Sequence, residues 1–172
     1  MSQSPFAAVA AAAAATASVQ NSHTIRINAP ADTALMFFTP EGESHWVPGW
    51  APRYLNSADG RTREGLVFTT GEGDEFSIWL VARFDRAARR AQYVRTTPAS
   101  RSGTVDIACT PAGDAADACD VTVAYALTAL TPAGIASLNA YRGAAFVEMI
   151  EGWAKLVHER LPDLLRVRIG AR

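Results

Sequence analysis

The sequence predicts an α+β fold in which a meander of antiparallel strands packs against one long C-terminal helix. Three observations predict it. Residues Pro132 to Leu161 carry a wide apolar stripe at helical spacing. Between Ala51 and Leu130, short alternating stretches recur with turn signals at roughly ten-residue spacing. Two short helical pieces, the second opened by a proline, separate that meander from a first strand. A chain of 172 residues is long enough for one domain with a substantial core. The expected division is an alanine-rich tail over residues 1–21 and a single domain over residues 22–172.

In chain order, nine of the eleven residues from Ala7 to Ala17 are alanine. Alanine favours helix but offers little surface to bury, so this segment reads as a loose tail. Ala15-Thr16-Ala17 resembles a small-residue cleavage site, yet no Lys or Arg precedes Arg26. A cytoplasmic location is therefore expected, with export as the alternative. His23 to Asn28 alternates as a first strand. Ala31 to Phe38 is a short helix, and Thr39-Pro40 opens a second, the hydroxyl capping it and the proline taking the first position. Pro48-Gly49 ends it.

The strands then follow at Arg53–Ala58, Glu64–Thr70, Glu75–Asp85, Arg89–Thr97, Gly103–Thr110 and Asp120–Leu130. Glu75–Asp85 is apolar on both parities, which predicts a central strand covered at least partly on both faces. Cys109 and Cys119 flank the turn Pro111-Ala112-Gly113-Asp114, in a register expected to pair Cys109 with Cys119, Ile107 with Val121 and Val105 with Val123. In a reducing compartment they are two small buried thiols; after export a disulfide would be plausible. Two thiols are too few for a metal site, and no metal or cofactor is expected.

The final helix should start at the Thr131 cap and stop at Pro162. Ile135, Leu138, Ala145, Phe146, Met149, Ile150, Trp153, Leu156 and Val157 fall on one arc of roughly 120–160°. Asn139 and Arg142 fall inside this arc, which means either that the helix projects past the sheet there or that a cavity calls for polar groups. The 16 basic and 17 acidic residues form no block of either sign, which argues against a nucleic-acid footprint and a polybasic anchor. No apolar run approaches the ~20 residues of a membrane span.

The stretch from Phe38 to Trp50 reads FTPEGESHWVPGW. It is similar to a signature of small bacterial members of the START-related superfamily, also called SRPBCC or polyketide cyclase/dehydrase-like. Trp79 to Asp85, Tyr93-Val94-Arg95 and Tyr125 to Leu130 resemble it as well. The similarity spans about residues 22–161. It implies a helix-grip fold, a curved antiparallel sheet of about seven strands wrapped around the C-terminal helix, with two short helices after the first strand. It implies a cavity rather than a reaction, since members include hydrophobic-ligand carriers, cyclases and cochaperones.

Trp46, Trp50, Phe68, Trp79, Tyr93, Tyr125, Phe146, Met149 and Trp153 are the residues expected to line such a cavity, or else to fill a solid core. Trp46 and Trp50 flank a turn, where they would gate the mouth. Asn139 and Arg142 are the polar candidates, with Arg142 as an anchor for a carboxylated ligand, because an arginine in an apolar arc needs a partner. Glu41, Glu43 and His45 lack a metal-ligand spacing and read as solvated loop; Asp74 and Glu75 read as an exposed turn. No nucleophile–base motif appears. The leading expectation is binding of a small hydrophobic molecule, with an aromatic or aliphatic acid as the candidate. The alternatives are cyclase-, aromatase- or dehydratase-like catalysis in the same cavity, or a filled-core interaction module. Oligomeric state is left open.

Overall fold

The computed structural model describes residues 17–113, 115–167 and 169. Most of the alanine-rich tail lies outside these. The elements are β1 (Ser18–Ile27), α1 (Ala31–Phe37), α2 (Pro40–Glu43), β2 (Arg53–Tyr54), β3 (Val67–Thr70), β4 (Ser77–Asp85), β5 (Arg90–Thr97), β6 (Arg101–Ala112), β7 (Ala115–Ala129), α3 (Pro132–Ser137) and α4 (Gly143–Arg166). Short 3-10 turns cover Gly73–Glu75 and Leu138–Tyr141. The strands form one antiparallel sheet of seven in the order β1-β7-β6-β5-β4-β3-β2. Its concave face holds the core and α4 lies across it. This is the helix-grip arrangement.

β1 starts at Ser18, ahead of the expected His23, and pairs with β7 over its full length. Val19, Ile25 and Ile27 are its buried residues, while Asn21 and His23 on the same face are polar. Those two side chains hide the alternation from sequence. Asn21 donates to the Tyr141 carbonyl at 3.4 Å, and His23 meets Glu151 on α4 at 2.7 Å.

The expected single C-terminal helix is broken. Arg142 is extended (φ −117°, ψ 142°) and Gly143 has φ +48°, a conformation glycine tolerates. The break changes the helical phase, so Ile135 and Ala145 are exposed and Ala154 is buried. Ahead of it, α3 presses on the sheet: a Cβ on Gly134 would stand 1.8 Å from the Ser100 carbonyl oxygen. After it, Phe146, Ile150 and Val157 are fully buried, each contributing about 1.5–3 kcal/mol of apolar burial. Pro162 does not stop α4, which continues to Arg166. A proline inside a helix costs about 3 kcal/mol, and the burial of Leu164 one half-turn later offsets much of it.

Two other expectations are corrected. Cys109 pairs with Val121, Ile107 with Val123 and Val105 with Tyr125, a shift of two residues that preserves the inward face. A register irregularity at Pro111–Ala112 causes it. Both cysteines are buried free thiols, and burial pushes Cys109 up to about 12 and Cys119 up to about 11. β4 is covered on one face only: Trp79 and Val81 are buried, whereas Ile78 and Leu80 are 41% and 38% exposed on the outer face.

Candidate functional site

The site is built around the α1–α2 corner. Thr39 caps α2 by accepting from the Gly42 amide at 3.1 Å while donating to the Met36 carbonyl at 2.7 Å. The two helices approach so closely that a Cβ on Gly42 would lie 2.0 Å from the Met36 oxygen. This corner leaves backbone carbonyls without helical donors, and aromatic side chains serve them. Trp46 Nε1 donates to Phe37 O at 2.7 Å, Trp50 Nε1 to Pro40 O at 3.0 Å, and the Tyr93 hydroxyl to Phe38 O at 2.9 Å. The two tryptophans are thus tied to the scaffold by their polar edges, leaving their ring faces for packing.

Those rings help enclose a cavity of about 160 Å³ between the sheet and the α1–α2 corner, which α4 reaches through Trp153. Trp50 meets Trp79 edge-on at 5.6 Å, and Trp79 stacks on Phe68 at 5.7 Å. Trp46 meets Trp153 of α4 at 5.9 Å, and Tyr125 meets Trp153 at 6.4 Å. Seven of the expected residues line this cavity: Trp46, Trp50, Phe68, Trp79, Tyr93, Tyr125 and Trp153. Phe146 is buried behind it against Tyr125, at 5.9 Å, and Met149 packs at the edge of the core. Neither lines the space.

Asn139 and Arg142 are also elsewhere. Both are exposed, and Arg142 donates to the Ser18 carbonyl at 3.0 Å. The break at Arg142 carries them off the inner face, so Arg142 has no access to the cavity as an anchor.

The polar groups of the cavity come instead from residues read as unremarkable in the sequence. Glu43 lines it, together with Arg95 and Thr70. Glu43 is half-buried, and it is one of the residues that line the cavity. Loss of hydration pushes its pKa up to about 8, against the opposing pull of the Arg95 guanidinium. Expected as solvated loop, Glu43 is therefore corrected to a cavity group, while His45 is exposed. A signal for it exists: Pro40, Glu43, Val47 and Trp50 recur at spacings of three, four and three, one helical face, and all four line the cavity.

Arg95 is committed on several sides. Its Nη1 donates to the Tyr141 hydroxyl at 3.1 Å, its Nε to Ser77 Oγ at 3.4 Å, and its Nη2 stands 3.6 Å from Glu75. Its guanidinium also lies over the Trp79 ring at 5.1 Å. Arg101, almost fully buried, grips Glu75 with two bonds of 2.9 and 3.2 Å and donates to Tyr141 at 3.3 Å. Hydrogen bonding from Arg101 holds the Glu75 carboxyl below the usual range.

No protein-family model and no curated protein matches the sequence, whereas solved structures match the fold. Norcoclaurine synthase from Thalictrum flavum aligns at TM-score 0.58 with 16% identity, over 92% of this chain and 94% of that one. Ginseng major latex-like protein 151 from Panax ginseng aligns at 0.60 with 9% identity, over 81% and 95%. A protein from Thermobifida fusca solved by NMR aligns at 0.55 with 18% identity, over 73% and 83%. With the sheet order, the α1–α2 corner and the helix across the concave face, these likenesses establish that this chain has the helix-grip fold.

Proposed function

We propose that this protein binds a small hydrophobic molecule of about one aromatic ring between the sheet and the α1–α2 corner. The observation that carries the reading is the cavity itself: about 160 Å³, walled by four tryptophans and two tyrosines. An apolar cavity of about 150 Å³ holds a benzene ring, so the space suits a single ring with a short substituent and is too small for an extended polyketide or a fatty acid. Flat aromatic walls supply dispersion contacts over both ring faces. Norcoclaurine synthase, of the same fold, was solved in complex with dopamine and hydroxybenzaldehyde, molecules of comparable size. Native mass spectrometry of the full chain, with extraction of any bound passenger, tests the reading. A single-ring compound at one per chain, displaced in a Trp153→Ala variant, supports it. An apo protein whose tryptophan fluorescence ignores a library of single-ring compounds contradicts it.

A second reading, catalysis in the same cavity, is favoured by Glu43. A carboxyl shifted toward neutral pH inside an apolar cleft has the properties of a general acid or base. Turnover of a single-ring carbonyl compound lost in Glu43→Gln, with ligand affinity preserved, would establish it.

A further inference from the structure

The polar atoms around the cavity narrow the ligand. Polar groups of a cavity wall that no protein atom satisfies are the places where water or a ligand supplies the partner. Trp46, Trp50 and Tyr93 donate to backbone carbonyls. Trp79 Nε1 donates to Thr70 Oγ1 at 2.8 Å. Arg95 is occupied by Tyr141, Ser77 and Glu75. Among the described residues, two cavity groups have no hydrogen-bond partner: the Glu43 carboxyl and the Tyr125 hydroxyl. They come from different elements, α2 and β7, and line the same cavity; burial raises Tyr125 most, and a charge on Glu43 adds to that.

The sign of what they offer follows from their surroundings. The titratable groups that face Glu43 are Arg95 and Tyr93 from β5 and Tyr125 from β7. The remaining walls, from β3, β4, β6 and α4, present Phe68, Thr70, Trp79, Val105, Ile107 and Trp153, none of which titrates. The single cation lining the cavity, Arg95, is already balanced by Glu75 and does not hold Glu43 ionised against the loss of hydration, which pushes the Glu43 carboxyl up to about 8. At neutral pH Glu43 is then mainly the neutral acid, an O–H donor, and burial keeps Tyr125 an O–H donor too.

We infer that Glu43 and Tyr125 together form a two-donor site that takes the oxygen of a small aromatic carbonyl compound, with the ring held among the tryptophans. This rests on the cavity being a ligand site. It selects for an acceptor oxygen and against an ammonium group, which would need the ionised form of Glu43 and would sit near Arg95. A neutral ligand oxygen favours the protonated acid, so binding weakens as pH rises through about 8.

The test is a tryptophan-fluorescence titration of the full chain with three ligands of one shape. Acetophenone carries the oxygen, α-methylstyrene replaces it with a methylene group, and 1-phenylethylamine replaces it with an ammonium. Acetophenone is expected to bind at least tenfold more tightly than α-methylstyrene at pH 6.5, the hydrogen bonds to a buried oxygen accounting for about that factor. The preference should fall several-fold by pH 9.5. Glu43→Gln keeps a donor and should retain acetophenone affinity within a few-fold while losing the pH dependence, whereas Glu43→Leu and Tyr125→Phe should lose the preference. If α-methylstyrene binds as well as acetophenone, the cavity reading stands and the two-donor site is wrong. Tighter binding of 1-phenylethylamine, with affinity rising with pH, overturns it in favour of an ionised Glu43. If none of the three binds, the two-donor site and the single-ring reading fall together.

Discussion

Glu43 and Glu75 both lie within reach of Arg95, yet their carboxyls are shifted in opposite directions. Glu75 sits at the rim, 62% exposed, with two bonds from Arg101. Hydrogen bonds from a cation outweigh its partial desolvation, and the charged form wins. Glu43 sits inside, with no hydrogen bond among the described residues, and Arg95 acts on it only through space. Desolvation outweighs that attraction, and the neutral form wins. A nearby cation is therefore not sufficient to hold a carboxylate; direct donors decide. The same arginine network makes the rim a structural clamp and leaves the interior glutamate available to a ligand.

The largest expected effect comes from breaking the clamp. Glu75→Gln leaves the Arg101 guanidinium buried without a counter-charge, and Arg101 already has one buried nitrogen, Nε, unpartnered. Urea unfolding at pH 7 should show a loss of roughly 2–3 kcal/mol. The clamp also sets an acid limit. Glu75 binds its proton less tightly when folded than when unfolded, so its contribution is present above the ordinary carboxylate range and is lost as pH falls through its depressed value.

Glu43→Gln should act in the opposite sense. Glu43 holds its proton more tightly in the folded chain, so wild-type stability falls as pH rises from 4.5 to about 8. The glutamine variant does not pass through that fall. It should be more stable than wild type by roughly 2 kcal/mol at pH 8 and show no such gain at pH 4, as read from paired urea curves. A gain that is the same at both pH values would show that packing, not titration, separates the two.

Arg95→Met sharpens the comparison because it touches both carboxyls. Removing the guanidinium takes away the one influence that lowers Glu43, so its midpoint should climb above about 8. Glu75 should change less, since Arg101 supplies its largest interaction. Carboxyl-resolved NMR titration of the variant checks both shifts. The smallest effect is expected from Tyr93→Phe, which deletes one buried bond to the Phe38 carbonyl. It should cost about 1–2 kcal/mol, leaving Glu43 protonated at neutral pH.

The succession of strands, the two short helices after β1 and the part of the apolar arc from Phe146 to Val157 were legible because periodicity and capping are local signals. Thr39-Pro40 reads as a helix start in sequence and is one in space. The break at Arg142 was not legible, because it is fixed by Gly134 seating against Ser100 and by Tyr141 meeting Arg95 and Arg101, contacts made across the fold. The same holds for Pro162, where burial of Leu164 outweighs a local stop signal. The aromatic wall was legible, since Trp46 and Trp50 beside a Pro-Gly turn are unusual in a loop. Its polar content was not. Arg142 attracted notice by lying in an apolar arc that the break dismantles. Glu43 looked like one acid among several, though its phase with Pro40, Val47 and Trp50 carried the information.

The most direct test of this account is a 13C-NMR titration of the glutamate carboxyls in the full chain, with and without acetophenone. One carboxyl is expected to titrate near 8, to be missing in Glu43→Gln, and to move higher when acetophenone binds because the ligand oxygen favours the protonated acid. If every glutamate titrates below about 5, or if the ligand moves the Glu43 midpoint down, the neutral acid in the aromatic cavity does not exist and the account built on it is wrong.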